Sequence, residues 1–454
     1  MNPTATNTSP YLATAFANDR AHVFHSWSAQ GQLQPVVIAG AKGSRMWDDQ
    51  GHTWLDFSSQ LVNVNIGHQH PKLVAAIQQQ AARMCTIAPF HANDMRSEAA
   101  RLIAELAPGD LDYVFFTNGG AEATENALRM ARIYTGRHKV MSTYRSYHGG
   151  TGGSLVMTGD PRRWAAEPGM AGIVHFCGPY AYRSSFNATS EAEECERALR
   201  HLEEILMYEG AHTVAGIILE SVVGTNGILV PPDGYLEGVR ELCTKHGIVM
   251  ICDEVMAGFG RTGRWFACDH WGVEPDLICC AKGINSGYVP LGALLISRRI
   301  ADTFTERAYM GGLTYSGHPL ACAAAVASIE AFKEEGIVEN AASIGETVLG
   351  PGLRELQERH PSIGEVRGKG CFWGVELVKN RETREMLAPF NASGKEMGAV
   401  GAFQRRCWEL GLATMVHWNV LMVVPPLVIT PEEARAGLEL IDEALAVADA
   451  GYEG

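Results

Sequence analysis

Six short apolar runs, each ending at or just before a polar residue and separated by helix-length segments, constrain this chain more than any other feature. They are Tyr113–Asn118, Lys139–Thr143, Val214–Glu220, Ile248–Cys252, Asp276–Ala281 and Leu291–Ser297. Near-continuous apolar runs of this length read as strands buried on both faces, the condition of a mostly parallel sheet covered by helices. The amphipathic stretches Glu191–Met207 and Tyr235–His246 between them supply such helices. The pattern predicts an α/β fold in which ligands sit beyond the carboxyl ends of the strands. Asn118, Glu220, Asp253 and Lys282 all fall at those ends.

Lys282 is the most telling of the four. No other Lys or Arg occurs between Arg264 and Arg298. A lone amine at the end of a buried strand is costly to desolvate, so its pKa should fall towards neutrality, as a Schiff-base lysine requires. Asp253 closes another apolar strand. A lysine and an aspartate on separate strand ends are the two protein groups that pyridoxal 5'-phosphate chemistry needs, the aspartate keeping the pyridine nitrogen protonated. Val255 lies two residues on, so in extended backbone it faces the same way as Asp253 and fits a ring face. The plain alternative for Asp253 is a cap or an ion-pair partner. Glu220 likewise reads as a cofactor-site carboxylate or a buried ion-pair partner.

Thr117-Asn118-Gly119-Gly120-Ala121-Glu122 leaves one of these strands and opens a helix running to about Tyr134. Glycines let backbone amides approach an anion, and the helix start adds unpaired N–H groups and positive dipole, which suits a phosphate. Tyr147 and His148 follow the next strand. Tyr147 fits a cofactor ring face as well as it fits an ordinary loop aromatic. Gly258-Phe-Gly-Arg261-Thr-Gly263 does not match a nucleotide-binding glycine pattern and reads as a turn, with Arg261 a scaffold cation. Thr314, in the loop before Pro319, offers a hydroxyl that a phosphate would accept.

Composition excludes several other classes. The 454 residues carry 37 Lys plus Arg against 51 Asp plus Glu, a formal charge of -14, which argues against a nucleic-acid partner. Eleven cysteines without a repeating interval indicate neither a disulfide framework nor a zinc site, so no metal is expected. Met1 to Pro10 lacks the build of a signal peptide, and no apolar run reaches membrane-span length. The expectation is a reduced, cytoplasmic enzyme with no membrane partner.

The organisation expected is an N-terminal segment, residues 1–65, packing with a small domain; a large cofactor-binding domain, 66–320; and a C-terminal small α/β domain, 321–454. A hairpin is expected around Asp49-Gln50-Gly51, single helices over Val338–His360 and Gly394–Leu410, and a strand region over Gly364–Leu377.

Taken together, these segments resemble the class III aminotransferases, pyridoxal 5'-phosphate enzymes of fold type I. The likeness runs from Trp47-Asp-Asp-Gln-Gly51 to Pro425-Pro426-Leu427. It is most specific in Asp253-Glu-Val-Met-Ala-Gly-Phe-Gly-Arg-Thr-Gly263, Pro275-Asp-Leu, Ala281-Lys-Gly283 and Thr314-Tyr-Ser-Gly-His-Pro319. The resemblance implies that Lys282 forms the Schiff base and moves the substrate proton. It implies that Gly119, Gly120 and Ala121 bind phosphate and that Tyr147 and Val255 cover the two ring faces. Asp253 pairs with the ring nitrogen, His148 and Glu220 belong to the cofactor site, and Thr314 reaches the phosphate of a neighbouring subunit. A homodimer with active sites at the interface is implied too.

Two departures stand out. Gly119-Gly120-Ala121 replaces a Ser-Gly-Ser pattern, so one phosphate-binding hydroxyl is absent. Met415 stands at or near the position where many amine–pyruvate members carry an acid-clamping Arg, and a thioether cannot pair with a carboxylate. His417, Arg162 and Arg163 are the nearby candidates for that task. Val62, Phe90 and Met415 fall where the family lines its substrate pocket. The closest flavour is taurine– or ω-amino-acid–pyruvate transamination. The expected activity is therefore transfer of an amino group from an ω-amino acid or amine to an oxo acid such as pyruvate. An aminomutase, racemase or decarboxylase on the same fold would share Lys282 and Asp253.

Overall fold

In a computed structural model, which describes residues 9–454, a seven-stranded sheet forms the centre of the molecule. Its order is Tyr113–Thr117, Gly292–Ile296, Leu277–Cys280, Val249–Asp253, Val214–Glu220, Lys139–Thr143 and Ile173–Phe176. Six strands run parallel; Gly292–Ile296 runs against both neighbours. Every residue of Val214–Glu220, Val249–Asp253, Leu277–Cys280 and Gly292–Ile296 is buried, which is why these runs show no apolar–polar alternation. Ile173–Phe176 was not expected from the sequence. It is four residues long, only partly buried and at the sheet edge, so it carries little apolar signal.

Helices cover both faces. Ala123, Ala127, Leu128, Met130 and Ala131 of Gly120–Thr135 pack on one face against Val249, Ile251, Leu277 and Cys279. Glu191–Glu209 and Tyr235–His246 place Leu202, Leu206, Leu236 and Val239 on the other. Local chemistry sets their ends. Ser190 accepts from Glu193 N at the start of one helix, and Gly136 (φ 68°) and Gly247 (φ 60°) supply left-handed stops.

The helix Pro319–Glu334 is buried on nearly every side and divides its contacts. Ala321, Cys322, Ala325, Val326 and Ile329 join the core of the large sheet, whereas Ala327, Ala331 and Phe332 join a second core. That second core lies under an antiparallel sheet of Ile363–Lys369, Phe372–Leu377, Val420–Val423 and Met415–His417. The expected hairpin is present: Arg45–Asp48 pairs antiparallel with Thr53–Asp56. Thr53–Asp56 in turn pairs parallel with Leu412–Ala413, more than 350 positions later, and Trp54 stacks on Trp408 with centroids 4.4 Å apart.

Two anticipated helices are interrupted. Val338–His360 resolves into Ile337–Ile344, a wider π turn over Gly345–Leu349, and Gly350–Arg359. Gly345 abuts the backbone of Gly370 so closely that a Cβ would meet its carbonyl oxygen at 2.1 Å, and Pro351 lacks an N–H to donate; both disturb regular helix. Gly394–Leu410 breaks at Gly398 (φ 46°) into Gly394–Met397 and Gly398–Glu409. The Gly364–Leu377 strand region is a hairpin turning at Gly370 (φ 56°). No helix among the described residues is long and apolar enough to cross a membrane. Most of Met1 to Pro10 lies outside the described residues.

Candidate active site

Beyond the carboxyl ends of the parallel strands lies a cavity of about 410 Å³. Asn118, Gly119, Gly120 and Ala121 wall it on one side, and Tyr147, His148, Gly149 and Gly150 on another. Glu220, Asp253, Val255, Ala281 and Lys282 form the base. Nine of the ten residues singled out for the cofactor thus meet at one place; the tenth, Thr314, is exposed in its loop and does not line the cavity of its own chain.

Asp253 and Lys282 belong to neighbouring strands, with Asp253 in register with Cys279. Lys282 has φ 45°, a conformation uncommon for a side chain of this size, as it leaves its strand for the 3-10 turn Lys282–Ile284. Burial pushes the Lys282 amine below its usual range; Asp253 and Glu220 pull the other way, and the charge of Arg162 adds to the fall. This is the shift that the sequence predicts.

Both oxygens of Asp253 are engaged. Val255 N donates to Oδ1 at 3.0 Å, and His148 Nδ1 donates to Oδ2 at 2.7 Å. His148 Nε2 lies 3.2 Å from Ser142 Oγ, so the ring is pinned from both sides. Glu220 accepts from Tyr147 N (3.0 Å) and Gly224 N (2.7 Å), tying the Tyr147 loop to the strand end. Burial drives the Glu220 carboxyl above its usual range.

The helix Gly120–Thr135 starts at the cavity, so its first amides point into it without helical partners. Close approach explains the glycines. A Cβ on Gly120 would come within 2.9 Å of Val255, and one on Gly149 within 2.5 Å of the Ala121 side chain. Asn118 is held by Glu122, which accepts from its backbone N at 2.8 Å and from its side-chain amide. An anion-binding helix start, a buried carboxylate, an aromatic ring and a perturbed lysine around one cavity fit a planar, phosphate-bearing cofactor with a ring nitrogen.

The residues expected around the substrate are placed differently. Val62 is fully buried in the core; its neighbour Leu61, 53% exposed, is on the cavity wall instead. Ser59, Gln60 and Val62 all have positive φ, so the side chains do not alternate as in a strand. Phe90 is 82% exposed, packs at a tilt against His91 and lies outside the cavity of its own chain. Met415 packs against the large core from its edge strand and is also off the cavity wall. Arg261 is a scaffold cation. It is fully buried and donates to the carbonyls of Cys371 (3.1 Å) and Pro425 (2.5 Å), to Ser59 Oγ (3.2 Å) and to Asn65 Oδ1 (2.7 Å).

Asn63, Thr225, Met256, Asn285 and Leu291 also line the cavity and were not singled out from the sequence. The signal for Thr225 was available: Gly224-Thr-Asn-Gly227 is a polar, glycine-flanked loop just after the Glu220 strand. Arg162, considered only as an acid-binding candidate, has its guanidinium carbon 3.8 Å from the Tyr147 ring centroid.

Comparison with known proteins agrees with this arrangement. The family described as Aminotransferase class-III matches residues 27–445. A taurine:2-oxoglutarate aminotransferase from Bifidobacterium kashiwanohense, solved in complex with PLP and glutamate, superposes with a TM-score of 0.94 at 41% identity, covering 98% of this chain and 99% of that one. A putrescine–pyruvate aminotransferase from Pseudomonas aeruginosa is 33% identical over 99% of this chain and 97% of its own length. A leucine/methionine racemase from Thermococcus litoralis is 33% identical over 92% and 93%.

Proposed function

The chain belongs to the class III aminotransferases, pyridoxal 5'-phosphate enzymes of fold type I, and from that premise we propose that it takes the amino group of an ω-amino acid such as taurine or β-alanine and passes it to a small oxo acid. The observation that carries this reading is the meeting of Lys282 and Asp253 on adjacent strand ends, at a cavity whose third wall is a helix start. The bound cofactor supplies an electron sink for the substrate carbanion. The chain does the rest. Gly119, Gly120 and Ala121 would hold the phosphate through backbone amides, because none of the three carries a hydroxyl. Asp253, oriented by His148, keeps the proton on the ring nitrogen. Lys282, made less basic by burial, would be the group that accepts and returns the proton of the amine-bearing substrate carbon. Tyr147 and Val255 would cover the two faces of the ring, and Glu220 fixes the Tyr147 loop.

Taurine is the substrate in the name of the 41% identical neighbour, and pyruvate the acceptor in that of the putrescine relative. Either pyruvate or 2-oxoglutarate fits the acceptor role. The racemase relative favours a second reading, an isomerisation with the same Lys282 and Asp253 and no separate acceptor. We further assign the molecule to a cytoplasmic homodimer. In it, Thr314, exposed beside Tyr315 and Met310, reaches the phosphate site of the partner, and Leu61 and Phe90 are covered. Residues 66–320 form the cofactor-holding unit, with residues 1–65 completing the small domain of 321–454; the pairing of Thr53–Asp56 with Leu412–Ala413 supports that division.

A half-reaction tests the reading. Holoenzyme is mixed with taurine, β-alanine, a simple aliphatic amine or L-alanine without acceptor, and the visible cofactor band is followed. Bleaching by an ω-amino acid, reversed by pyruvate or 2-oxoglutarate, is expected. A band unchanged by every donor, or an amino acid that loses optical activity with no acceptor present, overturns it.

A further inference from the structure

With Met415 packed against the core's edge and off the cavity wall, the cavity needs another group to recognise an acid. Three arginines stand nearby, and their surroundings separate them. Arg163 is committed, donating to Glu167 (2.9 Å) and to the Gly159 carbonyl (2.9 Å) while lying over Tyr144. Arg145 sits among the rings of Tyr180, Phe390 and Trp418, 5.1–5.8 Å from their centroids. Arg162 differs from both. It lies over Tyr147, a wall of the cavity, and reaches Thr225 Oγ1, another wall residue, at 3.4 Å. Its Nε bonds to Asp160 at 2.9 and 3.1 Å, and Nη2 bonds to the same carboxylate. Asp160 is itself held by Asn226 (3.0 Å), so the guanidinium is fixed in orientation. Nη1 donates to no protein acceptor among the described residues.

His417 completes the corner. Its Nε2 is buried with no hydrogen-bond partner among the described residues, an unmet donor or acceptor that a folded protein rarely leaves. The ring lies against Trp418, with centroids 4.1 Å apart. Burial and the charge of Arg162 push His417 down to about 4, so near neutral pH the ring is uncharged and has one N–H to donate. Arg162 is also close enough to Lys282 for its charge to depress the lysine.

We infer that Arg162, assisted by His417, anchors the acid group of the substrate, a sulfonate or carboxylate two carbons from the amine. This takes over the task of the arginine that Met415 replaces. A fixed fork of this kind favours an acidic over a neutral donor, and Asp160 serves as the positioning residue that aims it. The inference deepens the transamination reading and rests on it only for the nature of the donor.

The test uses holoenzyme and compares β-alanine with propylamine in the half-reaction, taking the ratio of their efficiencies so that any loss common to both cancels. Arg162→Gln should lower that ratio about 10- to 100-fold, the range of a lost charge-assisted hydrogen bond, and His417→Phe should lower it by a smaller factor in the same direction. The double variant Arg162→Gln with Asp160→Asn removes both charges of the pair together, leaves no buried carboxylate unpaired and guards against misfolding. Isethionate, taurine with a hydroxyl in place of the amine, reports the anchor without any reaction. Its binding by calorimetry should weaken to the same degree in the arginine variants. An unchanged ratio with unchanged isethionate binding overturns the anchor, as does wild-type enzyme that binds no isethionate. Isethionate binding that depends on Arg162 in an enzyme that transaminates nothing would instead overturn the proposed function and leave the anchor standing.

Discussion

His148 Nδ1 stands 2.7 Å from Asp253 Oδ2, although 105 positions separate the two residues. The histidine arrives on the loop after one parallel strand and the aspartate at the end of another, with the Glu220 strand between them. Both side chains are almost wholly buried, so neither finds water as an alternative partner. The pair fixes the carboxylate proposed to face the cofactor's ring nitrogen, and Ser142 fixes the histidine in turn.

Removing the charge at Asp253 should therefore be costly for chemistry more than for binding. Asp253→Asn is expected to lower kcat by at least about 100-fold, roughly 3 kcal/mol of lost charge-assisted contact. Cofactor affinity should change far less, because the phosphate contacts are untouched. Single-turnover rates alongside a cofactor titration check this; an unimpaired rate removes the electronic role.

His148→Ala should weaken the same function at one remove. A loss of about 10-fold in kcat is expected, the lower end for a hydrogen bond to a charged group. The pH–rate profile should shift as well, since the carboxylate loses one of its two donors. A profile identical to wild type would reduce His148 to packing.

Lys282 gives a prediction about stability in the cofactor-free protein. Its folded pKa is lowered below that of the unfolded chain, so between the two values the unfolded state binds more protons and stability rises with pH. The cost of the buried amine is present in full below the folded pKa and disappears as pH climbs to the unfolded value. Lys282→Met should accordingly be more stable than wild type at pH 7, with the difference shrinking by pH 10. Urea titrations of both apoproteins at the two pH values test the sign. The same variant should show no turnover when reconstituted, with an unchanged far-ultraviolet spectrum.

Arg261 joins three parts of the chain through four acceptors, and burial lowers its own pKa to about 10. Lysine cannot reproduce the fork. Arg261→Lys should destabilise the protein by about 3 kcal/mol, in the range for buried cations that lose partners. Denaturation midpoints measure this, and a loss under about 0.5 kcal/mol, typical of a surface substitution, would show that the bridge is dispensable.

Much was legible in the chain because the relevant physics is local. Strands buried on both faces are written as unbroken apolar runs, and a parallel sheet gathers their polar ends on one side. That is why Lys282, Asp253, Glu220 and the Gly119–Ala121 turn were found together without coordinates. Glycine stops and serine caps set helix ends within a residue or two for the same reason. The edge strand Ile173–Phe176 was not legible, since half-buried residues beside a loop leave no pattern.

The substrate end was a different matter. Whether Val62 or Leu61 meets the cavity depends on positive φ values at Ser59, Gln60 and Val62, which no periodicity announces. That Arg162 lies on Tyr147, and that His417 keeps an unpartnered nitrogen, are consequences of loops from separate strands meeting. The sequence by itself determined the layered α/β architecture and the cofactor chemistry, because burial and backbone geometry act along the chain. Only the tertiary structure decided which side chains line the cavity, because that depends on contacts between segments tens to hundreds of positions apart.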